Sequence, residues 1–205
     1  MVLNRFKGGM VPRSYNSEKR KQLEDEMRER IVAATVKLHA EKGPMDTSYK
    51  DIAQKADVAT PTVYKYFPNL SNLFFACTRH AAKQAPAQSE DDFNGLDSMR
   101  DRVAALVHMR CRAHAYFDPW LRWGGERVIP EVVSLLQDDC AMTRKLILKA
   151  LSPAYPQGKV PKEIVSMTLM LVGYHAWANL QAEVNISQKQ IETYLVNSIC
   201  KLIEQ

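Results

Sequence analysis

Between Thr60 and Tyr66 the chain sets four hydroxyl side chains and one ammonium, with no acid among them. Those are groups that meet phosphate oxygens and base edges. Tyr64 and Tyr66 can offer hydroxyls to phosphates, and Lys65 and Thr60 can reach phosphates or bases. Pro61 and Thr62 can touch thymine methyls. Thr47, Ser48 and Lys50, just upstream, extend the same polar set. Val63 and Phe67 read as core.

Two other groupings could do chemistry. Cys111-x-x-His114 lies on one face of a helix, where a thiolate–imidazole pair or half a metal site could form. Two unrelated core residues give the same spacing. A nucleophile elbow, a phosphate-cradling Gly loop, a zincin motif and paired carboxylates are all missing, so the chain does not read as an enzyme. Cys77, Cys111, Cys140 and Cys200 are widely spaced and include no C-x-x-C. Neither a disulfide framework nor a zinc ribbon follows, and no metal or cofactor is expected. A sensor that reads metals or oxidants through these thiols finds no support in their spacing.

The third grouping is Arg110 and His114. On a helix over 99–117, Met99, Val103, Leu106, Val107 and Phe117 fall on one apolar stripe, and Arg110 and His114 fall inside it. An arginine is rarely buried without a partner. Either it meets an acid from another helix, or it faces a polar cavity and orients an anionic or polar part of a ligand. Trp120, Trp123, Met142, Met167, Met170, Tyr174 and Trp177 are the other candidates to line such a site. Large aromatics and methionines at helical spacing also make plain core.

The elements that hold these residues are helical throughout. Glu18 to Lys42 reads as one helix, apolar at Ile31, Ala34, Thr35 and Leu38. Ser48-x-x-Asp51 has capping-box spacing for a short second helix. Ala56-Asp57-Val58 is a tight turn. A third helix starts at Thr60-Pro61, where Thr can cap and Pro suits the first position, and Phe67-Pro68 stops it. A fourth runs from about Leu70 to Ala85. An acidic loop covers 88–95. After the helix to Phe117, Asp118-Pro119 signals a new short helix through both tryptophans, ended by Gly124-Gly125. Further helices are expected over 130–151, 161–183 and from Ser187 onward. No run shows strand alternation, so the fold class is all-α with about nine helices.

Two short helices with a tight turn, followed by a third, form the layout of a helix-turn-helix. Thr47, Ile52, Ala53, Ala56, Val58, Thr62, Tyr64, Tyr66, Phe67 and Leu73, with Ile31 to Ala34, Leu38 and Gly43 upstream, resemble the DNA-binding signature of the tetracycline-repressor (TetR) family. The likeness covers about the first two fifths of the chain. Three positions depart from it. Asp57 replaces the turn glycine, and Asp tolerates the left-handed backbone needed there. Ala59 replaces the capping serine, so Thr60 is expected to take the cap one residue late. Leu70 replaces a lysine that often meets phosphate, which should lower affinity without removing binding.

The resemblance implies a ligand-responsive transcriptional regulator, a repressor released by a small, largely apolar or aromatic effector. Residues 1–17, with Arg5, Lys7 and Arg13 and no acid, read as a flexible basic N-terminal tail or as an arm along the DNA minor groove. The resemblance implies a helix-turn-helix domain over 18–69 and a helical effector-binding and dimerisation domain over 70–205. Its partners would be a pseudo-palindromic double-stranded DNA operator, the effector and a second copy of the chain. The last two helices read as the association surface, with Gly173 and Ala176 allowing close approach and Ile191, Leu195, Ile199 and Leu202 repeating at three and four.

Composition agrees. Residues 1–83 hold 15 Lys+Arg against 9 Asp+Glu, so +6, while 84–205 hold 13 against 14, so −1. The positive excess lies with the helix-turn-helix, as in a phosphate-binding domain joined to a neutral one, although a solvated basic face gives the same count. Residues 1–17 lack the apolar run of a secretory signal. The apolar stretch from Ile164 to Leu180 is too polar and short to span a membrane. A reduced, cytoplasmic setting with no membrane partner is the expectation.

Overall fold

The computed structural model describes residues 14–124, 130–183 and 186–204. The proposed arm at 1–17 falls almost wholly outside them. Among the described residues nine α-helices follow one another: α1 (Ser14–Lys42), α2 (Tyr49–Lys55), α3 (Thr60–Tyr66), α4 (Leu70–Lys83), α5 (Met99–Leu121), α6 (Pro130–Leu151), α7 (Lys162–Leu171), α8 (Tyr174–Ala182) and α9 (Gln188–Ile203). Single 3-10 turns at Glu90–Phe93, Ser152–Ala154 and Pro156–Gly158 fill the connections, and no strand occurs among the described residues.

Local chemistry sets most boundaries. Ser48 and Asp51 form the reciprocal capping box that opens α2, and Ser187 and Gln190 form another that opens α9. Ser98 caps α5 through the Asp101 N–H. Gly43, at φ 85, ends α1 by returning its N–H to the His39 carbonyl at 3.0 Å. Asp57 sits at φ 52, the left-handed conformation expected of the turn position.

Four boundaries differ from the sequence reading. Helix α1 starts at Ser14 rather than Glu18, its charged first turns helped by contacts such as Arg20 to Glu24 at 3.2 Å. Thr60 does not cap α3: the cap position is Ala59, which makes no side-chain bond, and Thr60 and Pro61 are the first two helical residues. Asp118-Pro119 starts no new helix, and α5 runs through Pro119 to Leu121. The Asp118 carboxylate is occupied otherwise, accepting from Tyr174 Oη at 2.9 Å and from Arg122. The helix expected over 161–183 is two, because Val172 closes α7 and Gly173, at ψ 157, opens α8. A Cβ on Gly173 would lie 3.2 Å from the Leu169 carbonyl oxygen, so glycine suits this close approach.

Two apolar cores result. Ile31, Val32, Leu38, Ile52, Ala53, Val63 and Phe67 pack in the first, joined by Leu73 and Cys77 of α4. Val103, Leu106, Val107, Leu146, Ile147, Leu151 and Trp177 make the second, joined by Ile191, Leu195 and Ile199 of α9. Helix α9 therefore lays its apolar stripe against its own chain.

Candidate nucleic-acid interface and effector region

Helix α3 has seven residues and no side-chain cap, too little to hold itself in water. Its neighbours brace it. Val63 and Phe67 are buried in the first core. Tyr49, at the start of α2, stacks on Tyr64 with ring centroids 4.3 Å apart and planes 6° from parallel. The Tyr49 hydroxyl donates to the Phe67 carbonyl at 2.8 Å. From α1, Arg28 donates to the Tyr66 carbonyl at 3.2 Å, and its guanidinium lies 5.5 Å from the Tyr66 ring centre and 5.4 Å from that of Phe67. Arg30 donates to the Asp57 carbonyl at 2.8 Å, pinning the turn where a glycine was expected.

The outward side of α3 carries Pro61, Tyr64 and Lys65, and Tyr64 is 52% exposed. Thr60, Thr62 and Tyr66 are half-buried. Lys65 Nζ lies 5.4 Å from the Tyr66 ring centre. On α2, Lys50 is exposed while Lys55 is paired with Glu41 at 2.9 Å. Asp51, the acid nearest these groups on α2, accepts from Ser48 and from Lys42 at 2.9 Å, which holds its carboxyl well below the usual carboxylate range. Thr47 is buried, its hydroxyl donating to the Gly43 carbonyl at 2.7 Å, and Ser48 is occupied as the cap, so both build the turn. Leu70, in place of the expected lysine, is 50% exposed.

The residues read as effector contacts divide into three places. His114, Tyr174 and Trp177 gather, with His114 centroids 5.9 Å from Tyr174 and 6.0 Å from Trp177. His114 Nε2 donates to the Val172 carbonyl at 2.8 Å, the carbonyl freed where α7 breaks from α8. Burial first, and then the Arg110 charge, pull its pKa from 6.5 down to about 4, so the ring is neutral. Arg110, one turn back, makes a two-pronged pair with Asp139 at 2.9 and 2.8 Å and donates to Gln88 at 3.0 Å. The acid partner comes from α6, so the cation is compensated within the chain. Among the described residues two buried side-chain polar atoms have no hydrogen-bond partner, Arg110 Nε and Thr168 Oγ1.

Trp120 and Trp123 stand elsewhere. Their indole N–H groups donate to α1 carbonyls, Trp120 to Val36 at 2.9 Å and Trp123 to Ala40 at 3.4 Å. Tyr116 donates to the Ala81 carbonyl of α4 at 2.8 Å. The end of α5 thus docks on the first core, and the tryptophans lie away from the His114 group because each indole N–H found a carbonyl there. Met142, Met167 and Met170 are 37%, 44% and 60% exposed, on the outer sides of α6 and α7.

The association residues divide too. Ile191, Leu195 and Ile199 are 0%, 4% and 0% exposed within one chain, packed in the second core. Being buried, they have no free face for a second copy. Gly173, Ala176 and Leu202 are half-buried, and Tyr194 of α9 is 45% exposed. Cys111 is buried, which pushes its thiol up to about 12, so Cys111-x-x-His114 is no thiolate pair. Among the described residues no three His, Cys, Asp or Glu side chains are grouped to hold a metal.

Sequence reasoning passed over Tyr49, Arg28, Arg30 and Asp139. It also passed over Arg102, which is buried and donates to the Ala150, Lys149, Phe93 and Leu96 carbonyls at 2.6 to 3.2 Å, closing the end of α6. The available signal was a basic residue on an otherwise apolar α5 stripe, the same one that singled out Arg110.

Comparison with known proteins agrees with this geometry. Residues 31–77 match the family model of bacterial regulatory proteins, tetR family. The HTH-type transcriptional regulator HbdR of Aromatoleum sp. (strain CIB) is 27% identical over 90 residues, 44% of this chain and 39% of that protein, so the match spans about two fifths of that relative's length. A transcriptional regulator from Rhodococcus sp. Rha1 superposes with a TM-score of 0.64 at 19% identity, covering 86% of this chain and 96% of that one. A regulator from Saccharomonospora viridis, solved in complex with choline, gives 0.64 at 18% identity over 85% of this chain and 96% of that one. At these identities the structures show the fold. Among the described residues no helix is long and apolar enough to cross a membrane. Residues 31–77, which hold the helix-turn-helix, are thus similar to bacterial regulatory proteins of the tetR family.

Proposed function

We propose that the chain is a ligand-responsive repressor that binds a pseudo-palindromic duplex operator as a homodimer in the cytoplasm. One observation carries the reading: α3 turns Pro61, Tyr64 and Lys65 outward with no acid on the helix, and is braced at both ends by α1 and α2. Tyr64 and Lys65 take phosphates or base edges, Pro61 and Thr62 take thymine methyls, and Lys50 takes the flanking phosphate. Residues 18–69, together with the first turn of α1 from Ser14, form the DNA-binding unit, and 70–205 the effector and dimer unit.

The effector is small and largely apolar or aromatic, and contacts the His114–Tyr174–Trp177 group. Arg110 Nε and Thr168 Oγ1, buried without partners, would take its polar end. With Arg110 already paired to Asp139, a neutral acceptor oxygen serves as well as a carboxylate. The second copy packs against the outer sides of α8 and α9, around Ala176, Tyr194 and Leu202.

The test is selection of a duplex from a random library by the full chain, followed by fluorescence anisotropy across a salt series. Specific binding with a steep fall of log affinity against log salt is the expected result. Failure to enrich any sequence, with no salt-dependent binding, overturns the reading.

A further inference from the structure

The unusual contact around α3 is the one made by Tyr49. An exposed tyrosine ordinarily samples several rotamers, and each one frozen on binding costs affinity. Tyr64 is held beforehand. The Tyr49 ring covers one of its faces almost in parallel, at 4.3 Å. Tyr49 is itself anchored at its far end, because its hydroxyl donates to the Phe67 carbonyl at 2.8 Å. Phe67 is the residue that ends α3, at φ −136 and ψ 80, and it precedes Pro68, which has no N–H. One side chain from α2 thus grips α3 at two points, a ring on its exposed side and a carbonyl at its end. Arg28 grips the same end from α1, through the Tyr66 carbonyl.

We propose that Tyr49 is a positioning residue for DNA recognition. It fixes the ring plane of Tyr64 and the end of α3, so that the Tyr64 hydroxyl meets the duplex with its rotamer already chosen. Tyr49 acts through Tyr64 and need not touch the nucleic acid. The inference rests on the DNA-binding reading above and adds to it a residue on the first helix of the motif.

The experiment is a double-mutant cycle on the full chain, using the duplex selected by the wild type and an unrelated duplex of equal length. Tyr49→Leu should weaken binding to the selected duplex roughly 3- to 10-fold, the effect of freeing one side chain. Tyr49→Phe keeps the stack and should lose less. In a Tyr64→Leu background, Tyr49→Leu should cause no further loss, since its route to the DNA is gone. Binding to the unrelated duplex should change little. Thermal unfolding of each variant separates positioning from folding. If Tyr49→Leu does not fold, the Tyr49→Phe cycle carries the test with the same expected non-additivity. Full additivity, an unweakened Tyr49→Leu, or a Tyr64→Leu that binds like wild type overturns the proposal while leaving wild-type DNA binding intact. A wild type that selects no duplex overturns both readings.

Discussion

Trp120 on α5 donates its indole N–H to the Val36 carbonyl in the middle of α1, across 2.9 Å and 84 residues of sequence. With Trp123 and Tyr116 it fastens the helix that carries Arg110 and His114 to the helices that carry the DNA-binding motif. Any displacement of α5 must therefore stretch these bonds or move α1 with it.

Replacing Trp120 with Phe keeps most of the ring and removes the donor. The Val36 carbonyl loses its extra partner, at a cost of about 0.5–1.5 kcal/mol. Urea unfolding should show a lower midpoint with an unchanged slope. An unchanged midpoint would mean that the bond contributes nothing to holding α5 against α1.

Acid should destabilise the fold through two buried histidines. His39, stacked on Phe74 with centroids 4.9 Å apart, and His114 both have pKa values lowered from 6.5 to about 4, in each case chiefly by burial. A lowered folded pKa means that the unfolded chain binds more protons between those values, so stability rises with pH there and is lost as pH falls from 6.5 toward 4. The loss is of order 2–3 kcal/mol for each histidine. A His114→Gln variant should show a shallower decline across that window. An equal slope would place the titration elsewhere.

Leu195 separates core from association. It is 4% exposed inside one chain. Leu195→Ala should cost about 2–4 kcal/mol of unfolding free energy by leaving a cavity. Tyr194→Glu should fold normally and shift the chain toward a monomer in sedimentation at micromolar concentration. If Tyr194→Glu sediments as wild type does, the outer side of α9 is not the contact between copies.

Much of the fold was legible because it depends on neighbours in sequence. The Ser48–Asp51 and Ser187–Gln190 caps and the left-handed Asp57 turn each span four residues or fewer. The misreadings came from interactions over distance. Asp118 looked like a cap until Tyr174, 56 residues on, claimed its carboxylate. Gly173 reads as a small residue that allows close approach inside one long helix, and the break there is stabilised by His114, 58 residues before Val172. The apolar repeat on α9 reads as a surface for a second copy, yet Ile191, Leu195 and Ile199 are covered by their own chain, because periodicity cannot say which chain supplies the covering surface.

The Arg110–Asp139 pair is lopsided, and its two halves should respond unequally to mutation. The Arg110 side chain is 6% exposed and that of Asp139 is 43% exposed. Asp139→Asn would leave a buried guanidinium with only the Gln88 amide oxygen and whatever the new amide can offer. A buried charge stripped of its partner costs about 3–5 kcal/mol, and the half-exposed partner here lowers that toward 2–3. Arg110→Met instead removes the buried charge, fills similar volume and lets Asp139 turn to water, so it should cost less than about 1.5 kcal/mol. Chemical denaturation of the two variants tests the order. Were Arg110→Met the more damaging, the guanidinium would have a partner beyond Asp139 and Gln88, and the polar end of the effector region would need to be redrawn around it.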